Sequence, residues 1–364
     1  MLWLFFIIIL ILLCLVIWFF FIKKNKKENF KLFFISQKEV EDLFPGQFTQ
    51  FWNQNIIFLY KNNQTYVHHP EGISEITDIF NYVAHVYTQF WFQEIHPFLL
   101  KKKASSYYFI LHIMDGIAMY GHSLEPPIME IEKIPYWDYR QKIQKEKSIY
   151  PIFSKNKKIG VACKNLNDPY ALTLLDHHFI DSKGYETILK KFDKLSTITK
   201  LFPNRKDRII FAGDLNNGSG ENIRKLFYQM VSENRIEADY HPYQNKTHEE
   251  QMEYNYILDL DGWVNAWSAL FWKLLSGSLV LKHDSNWCQW YYEDLKPYVH
   301  YVPVKKDLSD LQEKLEWCRN HLEECKEIIS NAQLFVKSNL SWDTSVKKIQ
   351  EKLWTEYFTQ SKFI

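Results

Sequence analysis

Residues 254–282 read YNYILDLDGWVNAWSALFWKLLSGSLVLK. Tyr256-Ile-Leu-Asp-Leu260 is an unbroken, mostly apolar run that predicts a buried strand, and Asp261-Gly262 stops it. From Gly262 the pattern passes through a loop into a helix reaching Leu275. Ser278-Leu-Val-Leu281 then predicts a second strand. Strand, helix and strand at this spacing form a β–α–β unit, which pairs its strands in parallel.

The same alternation extends in both directions. Upstream, Tyr107 to Ile113 predicts a strand ending at Met114-Asp115-Gly116, and Ile159 to Cys163 predicts another. Tyr185 to Lys200 reads as a helix, Arg208 to Phe211 as a strand, and Glu221 to Glu233 as a helix after a Gly- and Asn-rich turn. Downstream, His300 to Val304 predicts a strand that Pro303 confines to an edge or terminal position. Asp307 to Ser338 predicts one long helix whose apolar stripe of Leu308, Leu311, Leu315 and Cys318 is core packing. The expected class is α/β with parallel sheets. The polar stretch Lys200–Asp207, which contains Pro203, is the expected boundary between two lobes.

The chain has 364 residues, with 44 Lys plus Arg against 43 Asp plus Glu and a formal net charge of +1. That balance gives no electrostatic basis for nucleic-acid binding. Met1 to Ile22 contains no charged residue and spans roughly 33 Å as a helix, enough for a bilayer core. It has neither a basic start nor a small-residue cleavage site, so it predicts a transmembrane anchor. Lys23, Lys24, Lys26, Lys27 and Lys31 follow it, and the positive-inside rule then puts the body in the cytosol. Sequons at Asn63, Asn217, Asn245 and Asn339 keep a luminal body as the alternative. Of five cysteines, Cys14 falls in the anchor, and Cys318 and Cys325 lie seven apart on a predicted helix, too far along one face to bridge. The expected organisation is 1–22 anchor, 23–35 basic tether, 36–203 N-terminal acceptor-side lobe, 204–340 C-terminal nucleotide-sugar lobe and 341–364 a C-terminal helix packing back on the body.

Four motifs carry candidate chemistry. Asp115 directly follows an apolar strand, where an α/β sheet binds ligands, and reads either as a general base or as an ordinary Asp-Gly turn. Phe211-Ala-Gly-Asp-Leu-Asn-Asn-Gly-Ser219 precedes a helix bearing Arg224, an arrangement suited to a diphosphate or simply to a solvated loop. Asp259 and Asp261, two apart on a strand, face one side and reach one cation if the strand continues; otherwise one sits at the core edge and the other opens the Gly262 turn. Asp176-His177-His178 has a metal-ligand composition but lacks the further clusters such a site needs, so it reads as a surface loop.

The run from Tyr254 to Leu340, with LDG, SGS and LKPYVHYVPVKKDLSDL in that order, resembles glycosyltransferase family 90. IIFAGDLNNGSGENIR, KKIGVACKN and YYFILHIMDG are similar to its upstream segments, so the resemblance covers roughly residues 105–340. It implies a GT-B-like fold of two Rossmann-like lobes with the nucleotide sugar in the cleft, and metal-independent, inverting transfer to a glycan or protein hydroxyl. By this resemblance Asp115 is the general base, and Gly213 and Asp214 stand where the family has Gly-Ser. Arg224 contacts the diphosphate. Gly262, Trp263, Val264, Asn265, Ala266 and Trp267 line the nucleotide pocket, and Lys273 falls near its basic helix. A UDP-glucose- or UDP-xylose-type donor is implied, with no metal cofactor. Two departures stand out: Ala212 and Ser268 replace family arginines, with Lys273 one turn later as the candidate replacement. They keep an inactive, sugar-binding or scaffolding relative in view.

Overall fold

The structure, a computed structural model, describes residues 32–34, 55–68, 77–113, 159–166, 171–196, 201–216, 223–242, 245–262 and 264–358. Its first sheet opens with β1 (Leu32–Phe34), β2 (Asn55–Lys61) and β3 (Gln64–His68). Asn62 and Asn63 have φ of 52° and 59°, the left-handed pair that a two-residue hairpin turn requires. That turn makes β2 and β3 antiparallel. α1 (Thr77–Phe90) continues through a π-turn at Trp91–Ile95 into α2 (His96–Lys101). β4 (Tyr107–His112) returns antiparallel to β2. The Trp91 ring stacks on both Phe58 of β2 (4.3 Å) and Phe109 of β4 (4.8 Å), fixing the helix on the sheet. β5 (Ile159–Val161), β6 (Cys163–Asn165) and β7 (Ala171–Thr173) follow, then α3 (His177–Asp181) and α4 (Glu186–Ser196). The sheet order is β1-β3-β2-β4-β5-β7, parallel only from β4 to β7 and between β1 and β3. This corrects the expectation of parallel sheets throughout, because a two-residue hairpin leaves no room for a crossover.

β8 (Lys206–Ala212), α5 (Ile223–Ser232), β9 (Ala238–His241), α6 (His248–Gln251), β10 (Tyr254–Asp259), α7 (Ala269–Leu275), β11 (Leu279–His283), β12 (Trp287–Gln289) and β13 (Val302–Val304) follow, and all of these strands except β12 form the second sheet. Its order is β13-β11-β10-β8-β9 and every pair is parallel. β10 is buried along its whole length, as a central strand covered on both faces must be. β13, the strand containing Pro303, is one of the two edges, with β9 the other.

α8 (Leu311–Asn320), α9 (Leu322–Asn339) and α10 (Trp342–Leu353), which runs on into a π-helical turn at Trp354–Phe358, complete the chain's described part. The single helix predicted from Asp307 is therefore two. Asp307 accepts from the Ser309 amide and Leu308 has φ 57°, so residues 307–310 form a turn. The helix breaks again at His321, whose φ and ψ are −128° and 53°.

The two sheets are tied together in several places. β6 pairs antiparallel with β12. From α10, Lys352 donates to Thr173 Oγ1 (3.0 Å) and Gln350 to the Glu94 carbonyl (2.8 Å), while Tyr357 donates to the Tyr108 carbonyl (3.0 Å). One apolar cluster accordingly includes Phe109 and Leu172 of the first sheet and Ile257 and Val280 of the second. Residues 1–22, predicted as the anchor, lie outside the described residues. The predicted tether at 23–35 supplies β1, which pairs with β3. Among the described residues no helix is long and apolar enough to cross a membrane.

Candidate functional site

In chain order the second sheet runs 2-1-3-4-5, and its strand order reverses between β8 and β10. Crossovers on opposite faces leave a crevice at that point, outside the carboxyl ends of the two strands, where open α/β sheets bind ligands. Gly213-Asp214 leaves β8 there, and Leu260-Asp261-Gly262 leaves β10.

Arg224, the second residue of α5, spans the crevice. Its Nε donates to the Asp261 carbonyl (2.8 Å), Nη2 to the Leu260 carbonyl (3.4 Å) and Nη1 to the Asp214 carbonyl (3.1 Å). The guanidinium also lies over the Phe211 ring, 5.5 Å from its centroid. Burial pulls the guanidinium below its ordinary range, and the Asp259, Asp261 and Asp214 carboxylates work against that shift. Gly213 is packed in from behind. A Cβ there would lie 2.6 Å from Phe211 Cζ, and that ring is held edge-on by Phe227. Gly213→Ala is therefore expected to lower stability by about 1–3 kcal/mol, read as a lower denaturant midpoint.

A polar network fixes the loop after β10. Asp261 accepts from Ser285 Oγ and from Asn265 Nδ2 (2.8 Å). Asn265 Oδ1 accepts from the Tyr292 hydroxyl and from Gln289 Nε2 (3.5 Å), and Gln289 also donates to the Trp267 carbonyl (3.3 Å). Burial pushes the Asp261 carboxyl above its usual range, against the pull of Lys282, His283 and Ser285. Gly262, Val264 and Ala266 are half-buried along the loop, while Trp263 lies outside the described residues.

Trp267 holds φ at 70°, a strained backbone for a bulky residue, and its ring is 45% exposed. The ring meets His178 edge-on at 4.8 Å, across from the second sheet to the end of the first. His178 belongs to the Asp176-His177-His178 motif, and the structure corrects its reading as a surface loop. Asp176 is 1% exposed and caps α3, accepting from the Phe179 amide (3.0 Å) and the Tyr185 hydroxyl (2.8 Å). Burial lowers His177 to about 4, with the His178 charge adding to the shift. Among the described residues no three His, Cys, Asp or Glu side chains gather as metal ligands.

Lys273 is placed away from the crevice mouth. Its ammonium, buried on α7, pairs with Asp259 Oδ1 at 2.7 Å and donates to the Leu258 carbonyl at 3.2 Å. Burial opposes ionisation of Asp259, but Lys273 and Lys282 outweigh it and hold the carboxyl below its usual range. The two aspartates thus diverge, Asp259 into the core and Asp261 into the turn, because the strand ends at Asp259. Asp115 lies outside the described residues, three positions past the end of β4. Ser285, Gln289 and Tyr292 were not singled out from the sequence. The Trp287-Cys-Gln289 run, buried throughout as β12, has no period-two alternation that could have found Gln289.

Residues 213–363 match the family model for glycosyl transferase family 90. Protein O-glucosyltransferase 2 of Danio rerio is 42% identical over 106 residues, 29% of this chain and 21% of that protein. The uncharacterized protein 179R of Invertebrate iridescent virus 6 is 42% identical over 111 residues, 29% of this chain and 9% of that protein. The matched part is thus about a fifth or less of either relative's length. A crystal structure of a glycosyltransferase from Rickettsia africae ESF-5 is 12% identical, covering 78% of this chain and 83% of that one, with a TM-score of 0.37.

Proposed function

We infer from the family 90 domain at residues 213–363 that this protein transfers a sugar from a nucleotide sugar to a hydroxyl of a glycan or protein. The observation that carries this reading is the Arg224 clamp at the β8/β10 switch point. A guanidinium has five N–H donors, and the three carbonyl bonds leave two for a ligand. The clamp positions those donors before the ligand arrives, so little reorganisation is needed as negative charge develops on the leaving diphosphate. We assign the donor as a UDP-sugar of the glucose or xylose type, as the family resemblance implies, and the O-glucosyltransferase relative favours glucose.

The finer reading is a GT-B-type, inverting enzyme, with the second sheet holding the nucleotide and the first presenting the acceptor. In-line attack needs a base on the side opposite the diphosphate, and Asp115 is the residue we assign to it. Metal independence is supported by how the aspartates are used: Asp259 is neutralised by Lys273, and Asp261 is satisfied by Ser285 and Asn265. Gly213, Asp214 and the 262–267 loop remain the proposed donor contacts. Residues 1–22 are proposed as a membrane anchor with the body in the cytosol. Glycosylation of Asn63 or Asn245 in cells would instead place the body in a lumen.

A second reading has one observation in its favour. Ala212 and Ser268 stand where the resemblance places arginines, which suits a relative that binds sugar nucleotides without turning them over. One experiment separates the two. The chain is incubated with a panel of UDP- and GDP-sugars in EDTA, and nucleotide release is followed beside UDP binding by calorimetry. Release from one donor is expected. Arg224→Ala is expected to weaken UDP binding at least tenfold, the scale of losing a charge-assisted phosphate contact. Binding without release under any acceptor would favour the second reading, and unchanged affinity in Arg224→Ala would sink the clamp.

A further inference from the structure

The break at His321 undoes the spacing that kept Cys318 and Cys325 apart on a single helix. Cys318 is in the last turn of α8 and Cys325 in the first turn of α9, and both are fully buried. The Cys318 carbonyl accepts from the His321 amide (3.4 Å) and from Cys325 Sγ (3.5 Å), so the corner folds one thiol back onto the other residue. Both sit in one apolar cluster with Tyr256, Leu315 and Ile328, beneath β10. The other two described cysteines are arranged differently. Cys163 of β6 is paired in register with Gln289, and Cys288 with Lys164. Cys288 is one residue from Gln289, so its side chain points to the opposite face of the ribbon from Cys163.

We propose that Cys318 and Cys325 are a disulfide-forming pair that staples the α8–α9 corner, with Cys163 and Cys288 left as thiols. The chemistry requires a disulfide co-reactant, such as oxidised glutathione or a protein disulfide. One cysteine thiolate attacks the co-reactant and expels a thiolate. The second cysteine, deprotonated, attacks the mixed disulfide and expels the other thiolate. Two electrons leave the protein, and the co-reactant departs as two thiols. In the folded chain the Cys318 thiol is raised well above its ordinary value, first by its hydrogen bond with Cys325 and then by burial. Closure therefore belongs to folding, before the corner is packed: in a reducing cytosol the pair stays a dithiol, and the staple forms only where the chain folds under oxidising conditions.

The test uses the full-length chain in detergent, refolded in a glutathione redox buffer. Free thiols are blocked with iodoacetamide after denaturation, and tryptic peptides are read by mass spectrometry. Residues 315–319 (LEWCR) are expected linked to residues 320–326 (NHLEECK), with Cys163 and Cys288 alkylated. The oxidised chain is expected to melt roughly 3 °C higher than the reduced one, as closure of so short a loop in a chain of this length would give. The double variant Cys318→Ala, Cys325→Ala is expected to lose that redox dependence. Recovery of both thiols unlinked from the folded fraction, or linkage of either to Cys163 or Cys288, would overturn the assignment.

Discussion

Lys273→Met is expected to lower the free energy of unfolding by about 3–5 kcal/mol, the cost of leaving a buried carboxylate without its partner. The side chains of Lys273 and Asp259 are 7% and 5% exposed, and their charges are 2.7 Å apart. Water cannot take over the role of the lost ammonium there. Lys282 also acts on Asp259, which sets the expectation at the lower end of that range. Pairing Lys273→Met with Asp259→Leu removes both charges and is expected to restore most of the loss. A double-mutant cycle by chemical denaturation reads the coupling directly. The pH dependence has a definite sign. Asp259 is held below its ordinary range, so its contribution is complete above about pH 4 and fades as pH falls through the depressed folded value. Stability of the double variant should fall less steeply with acid over that window. Equal acid sensitivity in both proteins would mean that Asp259 is not the group responsible.

The second sheet was legible because its strands announce themselves. Tyr256–Leu260, closed by Asp261-Gly262, and Ser278–Leu281, opened by Gly277, are short apolar runs, and fully buried parallel strands look like that. The observed β10 and β11 fall within two residues of them. The first sheet was less so. The hairpin at 55–68 went unread although Asn62-Asn63 between two β-rich runs is a two-residue turn signal. The break at His321 had no Gly or Pro to mark it, so periodicity carried the predicted helix straight through.

At the site, local pattern offered the Gly213 loop and Arg224 and the resemblance added the 262–267 loop, but neither told what each side chain faces. Lys273 and Arg224 are both cations on helices that follow strands of one sheet. One turns into the core to meet Asp259 and the other out to three loop carbonyls. That difference depends on which face of its helix each cation occupies against the sheet, which the residue type alone does not give. Asp176 failed in the opposite sense. Its neighbours looked like metal ligands or a solvated loop, whereas a helix start immediately after a strand gave it a buried capping role.

Asp115→Asn is expected to reduce kcat by about 10²- to 10⁴-fold while leaving UDP affinity within twofold of the parent. β4 lies inside the first sheet, between β2 and β5. Asp115 follows that strand's carboxyl end by three residues. If the diphosphate sits at the β8/β10 crevice, the second sheet occupies the leaving-group side of the anomeric carbon. The proton of the acceptor hydroxyl must then leave toward the first sheet, and a carboxylate is the group that can accept it. Asn keeps the size and the hydrogen-bonding reach of Asp but cannot take a proton, so the loss should fall on kcat and not on donor binding. The acid limb of the parent's kcat/KM profile should vanish from the residual activity of the variant. Transfer that survives Asp115→Asn within tenfold, with the acid limb intact, would assign the base to another residue and leave the Arg224 clamp untouched.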